Sequence, residues 1–105
     1  MWAESCPQGI TIDNVTAENC YAGGISLGQS NGLVVENTTV TTTGNDYSYG
    51  IRAKANQNNY SLNVKNVNLS AYVPILLRNA TSANYTLALS GNNTLTKGGD
   101  YHICV

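Results

Sequence analysis

The chain has 105 residues with five Lys/Arg, six Asp/Glu and a formal charge of −1, which fits one small domain and offers no excess of positive charge for a polyanion such as nucleic acid. Charged residues make up 10% and hydrophobic ones 42%; with Asn, Thr, Gly and Ser filling the polar positions, this mixture suits strands and turns over helices. No run approaches the roughly 18 to 20 apolar residues of a membrane span, and the opening Met1-Trp2-Ala3-Glu4-Ser5 lacks the charged-then-apolar layout of a signal peptide.

Two landmarks alternate along the chain. Ile10-Thr-Ile12-Asp-Asn14 is followed by Gly24-Ile25-Ser-Leu27, then Leu33-Val-Val35-Glu-Asn37 by Gly50-Ile51-Arg-Ala53. Leu62-Asn-Val64-Lys-Asn66 is followed by Pro74-Ile75-Leu-Leu77, and a weaker copy, Leu87-Ala-Leu89-Ser-Gly-Asn92, by His102-Ile103-Cys-Val105. The Asn landmarks advance by 23, 29 and 26 residues and the Ile landmarks by 26, 24 and 28. Both therefore move together by one repeat unit, which predicts a solenoid and not a hairpin sandwich. The expected fold is all-β, a single-stranded parallel β-helix of about four coils, with residues 1–105 forming one domain. Each coil alone cannot bury its inward residues, but stacked coils join them into columns of Ile, Val and Leu.

Asn at the end of each first landmark suits a bend, because it tolerates the left-handed backbone region and its amide can bond the next coil. A ladder of Asn14, Asn37 and Asn66 is predicted. Strand alternation places Arg52 and Lys54 side by side on the outer face. Thr39-Val-Thr41-Thr-Thr43 gives one Thr row, which Val15-Thr-Ala17-Glu and Val67-Asn-Leu69-Ser do not repeat; β-propensity explains it better than an ice-binding array.

Asn-x-Ser/Thr occurs seven times, at Asn14, Asn37, Asn59, Asn68, Asn79, Asn84 and Asn92. These are candidate glycosylation sites in a secretory pathway, or the by-product of Asn bends leading into Thr-rich strands. Cys6, Cys20 and Cys104 have no zinc-site spacing. A Cys6–Cys20 disulfide is open to the chain if those positions stack, with buried thiols the alternative. The six acids, Glu4, Asp13, Glu18, Glu36, Asp46 and Asp100, include no two within three positions of one another, which shows neither a catalytic pair nor a calcium site. No cofactor or metal is expected.

Cys20-Tyr-Ala-Gly-Gly-Ile-Ser-Leu-Gly28, followed by Tyr49-Gly-Ile-Arg-Ala-Lys54, resembles consecutive coils of the polygalacturonases, family 28 glycoside hydrolases. There one coil reads Gly-His-Gly-Ile-Ser-Ile-Gly and the next carries Gly-Val/Ile-Arg-Ile-Lys. Looser likeness extends over residues 9–80. The resemblance implies a right-handed, pectin lyase-like β-helix, secreted, acting in the full-length family on the galacturonan of pectin in cell walls. It implies that Arg52 and Lys54 bind substrate carboxylates, and hence that the partner is a pectic or other acidic polysaccharide.

The departures weigh against catalysis. The family's catalytic Asp residues lie on coils preceding those matched here, its His position is occupied by Gly23, and Arg78-Asn79-Ala80-Thr81 stands where it places a Tyr. Inverting hydrolysis needs two carboxyl groups about 6.5 to 9.5 Å apart. The reading is therefore of a fragment or truncated homologue, inactive alone; the alternatives are a non-catalytic binding module for acidic polysaccharide and a structural or adhesive β-helix. Coils missing before Met1 would leave exposed ends open to self-association. Trp2 is expected to plug one end and residues 91–100 to cover the other.

Overall fold

The computed structural model describes residues 1–4, 6, 9–28, 32–44, 47–55, 59–79 and 84–105; the side chains of residues 4, 55, 59, 60, 79, 84 and 85 are not described. Eleven strands and no helix are found among them: β1 (Trp2–Glu4), β2 (Ile10–Asp13), β3 (Thr16–Cys20), β4 (Gly23–Gly28), β5 (Leu33–Thr42), β6 (Tyr49–Ala55), β7 (Asn59–Ala71), β8 (Val73–Asn79), β9 (Asn84–Ser90), β10 (Thr94–Lys97) and β11 (Ile103–Cys104). All pairings are parallel. One sheet runs β1-β4-β6-β8-β11; the other runs β2-β5-β7-β10, with β3 also on β5 and β9 also on β7. The chain alternates between the two sheets, a β-solenoid of about three complete turns. That is one turn fewer than the four coils expected; the four landmark pairs supply four strands of each sheet, and β1 adds a fifth to the first.

Register follows the landmarks. Ile25 pairs with Ile51, Ile51 with Ile75, and Ile75 with Ile103. In the other sheet Ile10, Leu33, Leu62 and Leu87 form one column and Ile12, Val35, Val64 and Leu89 the next. Ile25, Ile51, Ile75, Leu33, Leu62, Val35 and Val64 are fully buried. Burying such a side chain contributes about 1.5 to 3 kcal/mol, so these columns are the main source of stability.

The Asn bends have a specific geometric effect. Asn14, Asn37 and Asn66 have φ of 58°, 50° and 53°, the left-handed region that an Asn side chain tolerates better than most. Along β5 the inward residues are Leu33 and Val35 before Asn37, but Thr38 and Val40 after it. Strict alternation would have sent Thr38 outward. One left-handed residue thus shifts the alternation by one position, and Leu62, Val64, Val67 and Leu69 repeat the shift around Asn66. The inward hydroxyl of Thr38 is satisfied by donating to the Glu36 carbonyl at 2.8 Å.

The amide ladder differs in membership from the sequence expectation. Asn66 Nδ2 donates to Asn37 Oδ1 at 3.4 Å, but Asn37 Nδ2 donates to Asp13 Oδ1 at 2.9 Å and not to Asn14. At the other end the left-handed position belongs to Gly91, φ 71°, and not to Asn92, whose backbone N–H donates to Asn66 Oδ1 at 2.9 Å. A Cβ on Gly91 would lie 2.2 Å from Asn66 Oδ1. The last coil also carries one extra residue between its half-strands: Val64 pairs with Leu89, whereas Leu69 pairs with Leu95.

The register makes no unbroken Thr row, as the sequence indicated, but it does stack short polar residues. Thr16, Thr39, Asn68 and Thr94 form one column, and Thr41, Ser70 and Thr96 another, so the short polar side chains run further across the coils than Thr39–Thr43 suggested. Such cross-strand hydroxyl pairs stabilise a sheet by about 0.2 to 1 kcal/mol each.

Trp2 does not plug the end of the solenoid. It pairs with Ser26 on the outer face and is 73% exposed, while the neighbouring Ala3 packs on the core. Replacing Trp2 by Ser is accordingly expected to shift the thermal transition by less than about 0.5 kcal/mol, as calorimetry would show; a larger loss would require the indole to cover the core. At the opposite end, within residues 91–100, Leu95 of β10 does pack against the core.

Candidate functional site

On the outer face of the five-stranded sheet, Ser26, Arg52 and Leu76 share one column and Gly28, Lys54 and Arg78 the next. Arg52 and Lys54 therefore stand on one face, and the solenoid adds a third cation, since neighbouring strands lie about 4.8 Å apart. Arg52 is half-buried, Lys54 and Arg78 are exposed. The Arg52 guanidinium donates from Nε and Nη2 to Ser26 Oγ at 3.2 and 3.0 Å and lies 4.9 Å above the Tyr49 ring centroid. These contacts fix its plane, and Nη1 has no partner among the described residues. Arg78 makes no hydrogen bond or ion pair with a described residue, and the same holds for Lys54.

Tyr49 also accounts for Gly23. A Cβ at Gly23 would come 2.2 Å from Tyr49 Cζ, so a side chain at that position would require the Tyr49 ring to swing aside. His102 lies far along the chain, exposed, and uses its carbonyl to accept from Ile75 N at 3.1 Å.

The turn leading into β6 is built on Ser48, 1% exposed. Its hydroxyl donates to the Gly44 carbonyl and accepts from Thr42 Oγ1 and from Tyr72 N, all at 3.1 Å. Next to this anchor Tyr47 adopts φ 67° and is 85% exposed, its ring centroid 6.4 Å from that of Tyr72 at 50°. A left-handed backbone costs a bulky L-residue roughly 1 to 2 kcal/mol. Tyr47, Tyr49, Tyr72 and Tyr101, with Arg52, Arg78, Leu76 and Asp100, line a cleft of about 540 Å³ across the outer face.

Compared with models of protein families, with curated proteins and with solved structures, the chain matches none. The likeness to polygalacturonases rests on residues 20–28 and 49–54 themselves.

The tyrosines and Arg78 are site residues that motif reading missed. A signal was present: Tyr21, Tyr47, Tyr72 and Tyr101 stand four, four, three and two residues before the successive Ile landmarks. In a solenoid such recurrence stacks side chains on one flank.

The acids are also rearranged by stacking. Asp13 and Glu36, 23 residues apart, are register partners on the other sheet, with Lys65 next to Glu36. Sequence proximity is thus the wrong criterion for a carboxylate pair in this fold. The pair is nevertheless on a different sheet from Arg52. Among the described side chains Asp100 is the only carboxylate lining the cleft; Asp46 lies outside the described residues, as does the Glu4 side chain. No group of three or more His, Cys, Asp or Glu that could hold a metal occurs among the described residues.

Cys6 and Cys20 are not joined by a disulfide. Cys6 precedes β2 and Cys20 ends β3, so the length of both strands separates them, whereas a disulfide needs Cα atoms within about 7 Å. Of the sequon residues, Asn14, Asn37, Asn68 and Asn92 are exposed; the side chains of Asn59, Asn79 and Asn84 lie outside the described residues. At Asn37 the nitrogen a glycan would use is the one donating to Asp13, which favours the bend as the reason for that Asn. No helix is long and apolar enough to cross a membrane among the described residues.

Proposed function

We propose that this β-solenoid binds an acidic polysaccharide of the pectate kind on the outer face of its five-stranded sheet, without hydrolysing it by itself. The observation that carries this reading is the grouping of Arg52, Lys54 and Arg78 on two adjacent coils, with Arg52 already oriented by Ser26 and Tyr49. Arg52, held in place, presents its Nη1 to a carboxylate, Arg78 can take one through a forked pair of hydrogen bonds, and the flexible Lys54 ammonium acts as a point charge. Along the strand the two cations are about 6.6 Å apart and across the coils about 4.8 Å, which suits a chain bearing a carboxylate on every sugar. In this reading the molecule is a non-catalytic, extracellular portion of a polygalacturonase-type architecture, and its sequons are candidates for glycans.

Binding of polygalacturonate by calorimetry, alongside an assay for released reducing ends, tests it. Arg52→Ala/Lys54→Ala is expected to weaken binding about tenfold or more, equivalent to about 1.4 kcal/mol, and added salt should weaken the wild type because the charges are partly exposed. Reducing ends above a heat-treated control would overturn the non-hydrolytic assignment. Unchanged binding by a folded double variant would remove the face.

A further inference from the structure

We propose that the tyrosine-lined cleft is a small-molecule site for a flat aromatic carboxylate, with Arg78 as the residue that receives the carboxylate. The cleft shares Arg52 and Arg78 with the polysaccharide face and differs from it in using the tyrosine rings and not Lys54.

The cleft's 540 Å³ falls within the roughly 300 to 1,000 Å³ typical of small-molecule sites, which combine apolar and aromatic walls with a few polar groups. Its floor is formed by Leu76 and Cys104, register partners on β8 and β11. Its walls are the rings of Tyr47, Tyr72 and Tyr101, and two of these, Tyr47 and Tyr101, are 85% and 60% exposed. Exposed phenol rings around an apolar floor favour a ligand that presents a flat face to stack on them.

Charge narrows the class further. Two guanidiniums, Arg52 and Arg78, face one carboxylate, Asp100, so the cleft complements a monoanion. Arg52 is committed to Ser26 through Nε and Nη2; Arg78 has no hydrogen bond or ion pair among the described residues and can form the bidentate pair. Tyr47 supplies an independent sign. A bulky residue at φ 67° is a backbone outlier, and here the strain presents an exposed ring that lies beside Tyr72 and outside the core. Strain of this kind collects where a fold holds a side chain ready for a ligand.

The probe is para-hydroxybenzoate, titrated into the full chain and followed by calorimetry and by NMR of the arginine Nε–H groups. Saturable binding is expected, with the Arg78 signal shifted and affinity for the uncharged para-hydroxybenzamide lower by about tenfold, the loss of one charge-assisted pair. Cyclohexanecarboxylate, which keeps the charge and loses the flat ring, should also bind more weakly. Arg78→Met should lower affinity for the carboxylate about tenfold while Lys65→Ala, on the other sheet, leaves it unchanged. The wild-type ligand series decides the matter even if a variant does not fold. Equal affinity for acid and amide, absence of saturation, or preference for galacturonate would each overturn the proposal; the last would assign the cleft to the polysaccharide instead. Failure of polygalacturonate alone to bind would overturn only the earlier reading.

Discussion

Leu62→Ala is expected to lower the unfolding free energy by about 3 kcal/mol, from the roughly 2 to 5 kcal/mol that such core truncations cost, whereas Leu87→Ala should cost about 1 kcal/mol. Both residues belong to one column, with Leu62 between Leu33 and Leu87. Leu62 is fully buried; Leu87 only packs partly against the core. In a stacked architecture stability is close to a sum of coil terms and nearest-neighbour interfaces, so a cavity at an inner coil weakens two interfaces and one at an outer coil weakens one. Urea unfolding of the two variants measures the difference. Equal losses would mean that the coils do not contribute as stacked units.

The second expectation separates backbone from side chain at a bend. Asn37→Ala should cost about 2 to 3 kcal/mol, combining the left-handed penalty of roughly 1 to 2 kcal/mol with partly exposed hydrogen bonds worth about 0.5 to 1.5 kcal/mol each. Asn37→Gly should cost only about 1 kcal/mol, since glycine adopts φ 50° freely and only the bonds to Asp13 and Asn66 are lost. Thermal or urea unfolding with both variants reads the two contributions apart. If alanine and glycine cost the same, the bend carries no strain and the ladder alone explains the asparagines.

The four Ile landmarks were legible because each sits inside a short alternating strand whose inward position is unambiguous, and the register joins all four. Arg52 and Lys54 were legible for the same reason. Asn14, Asn37 and Asn66 could be recognised as bends from the chemistry of asparagine, but their shift of the inward phase could not, because it depends on φ at a single residue. Gly91 was misread for a related cause: with one inserted residue, Asn92 keeps the spacing of the landmark while Gly91 takes its conformation. Trp2 was misplaced because size and hydrophobicity do not say on which face of β1 a residue falls. The cleft was hidden for want of side-chain geometry, since its residues come from β6, β8 and β11 and the turns that precede them. Asp13 and Glu36 show the general difficulty: neighbours in a solenoid are separated by a whole coil of sequence.

The ring of Tyr49 over Gly23 ties those two positions together. A histidine at 23 requires that ring to swing aside, for even the first side-chain carbon would collide with its far edge. A ring that swings aside leaves its place beneath Arg52. A change at 23 is therefore felt first through the Tyr49–Arg52 stack, a coupling that single-site scanning at either position would miss.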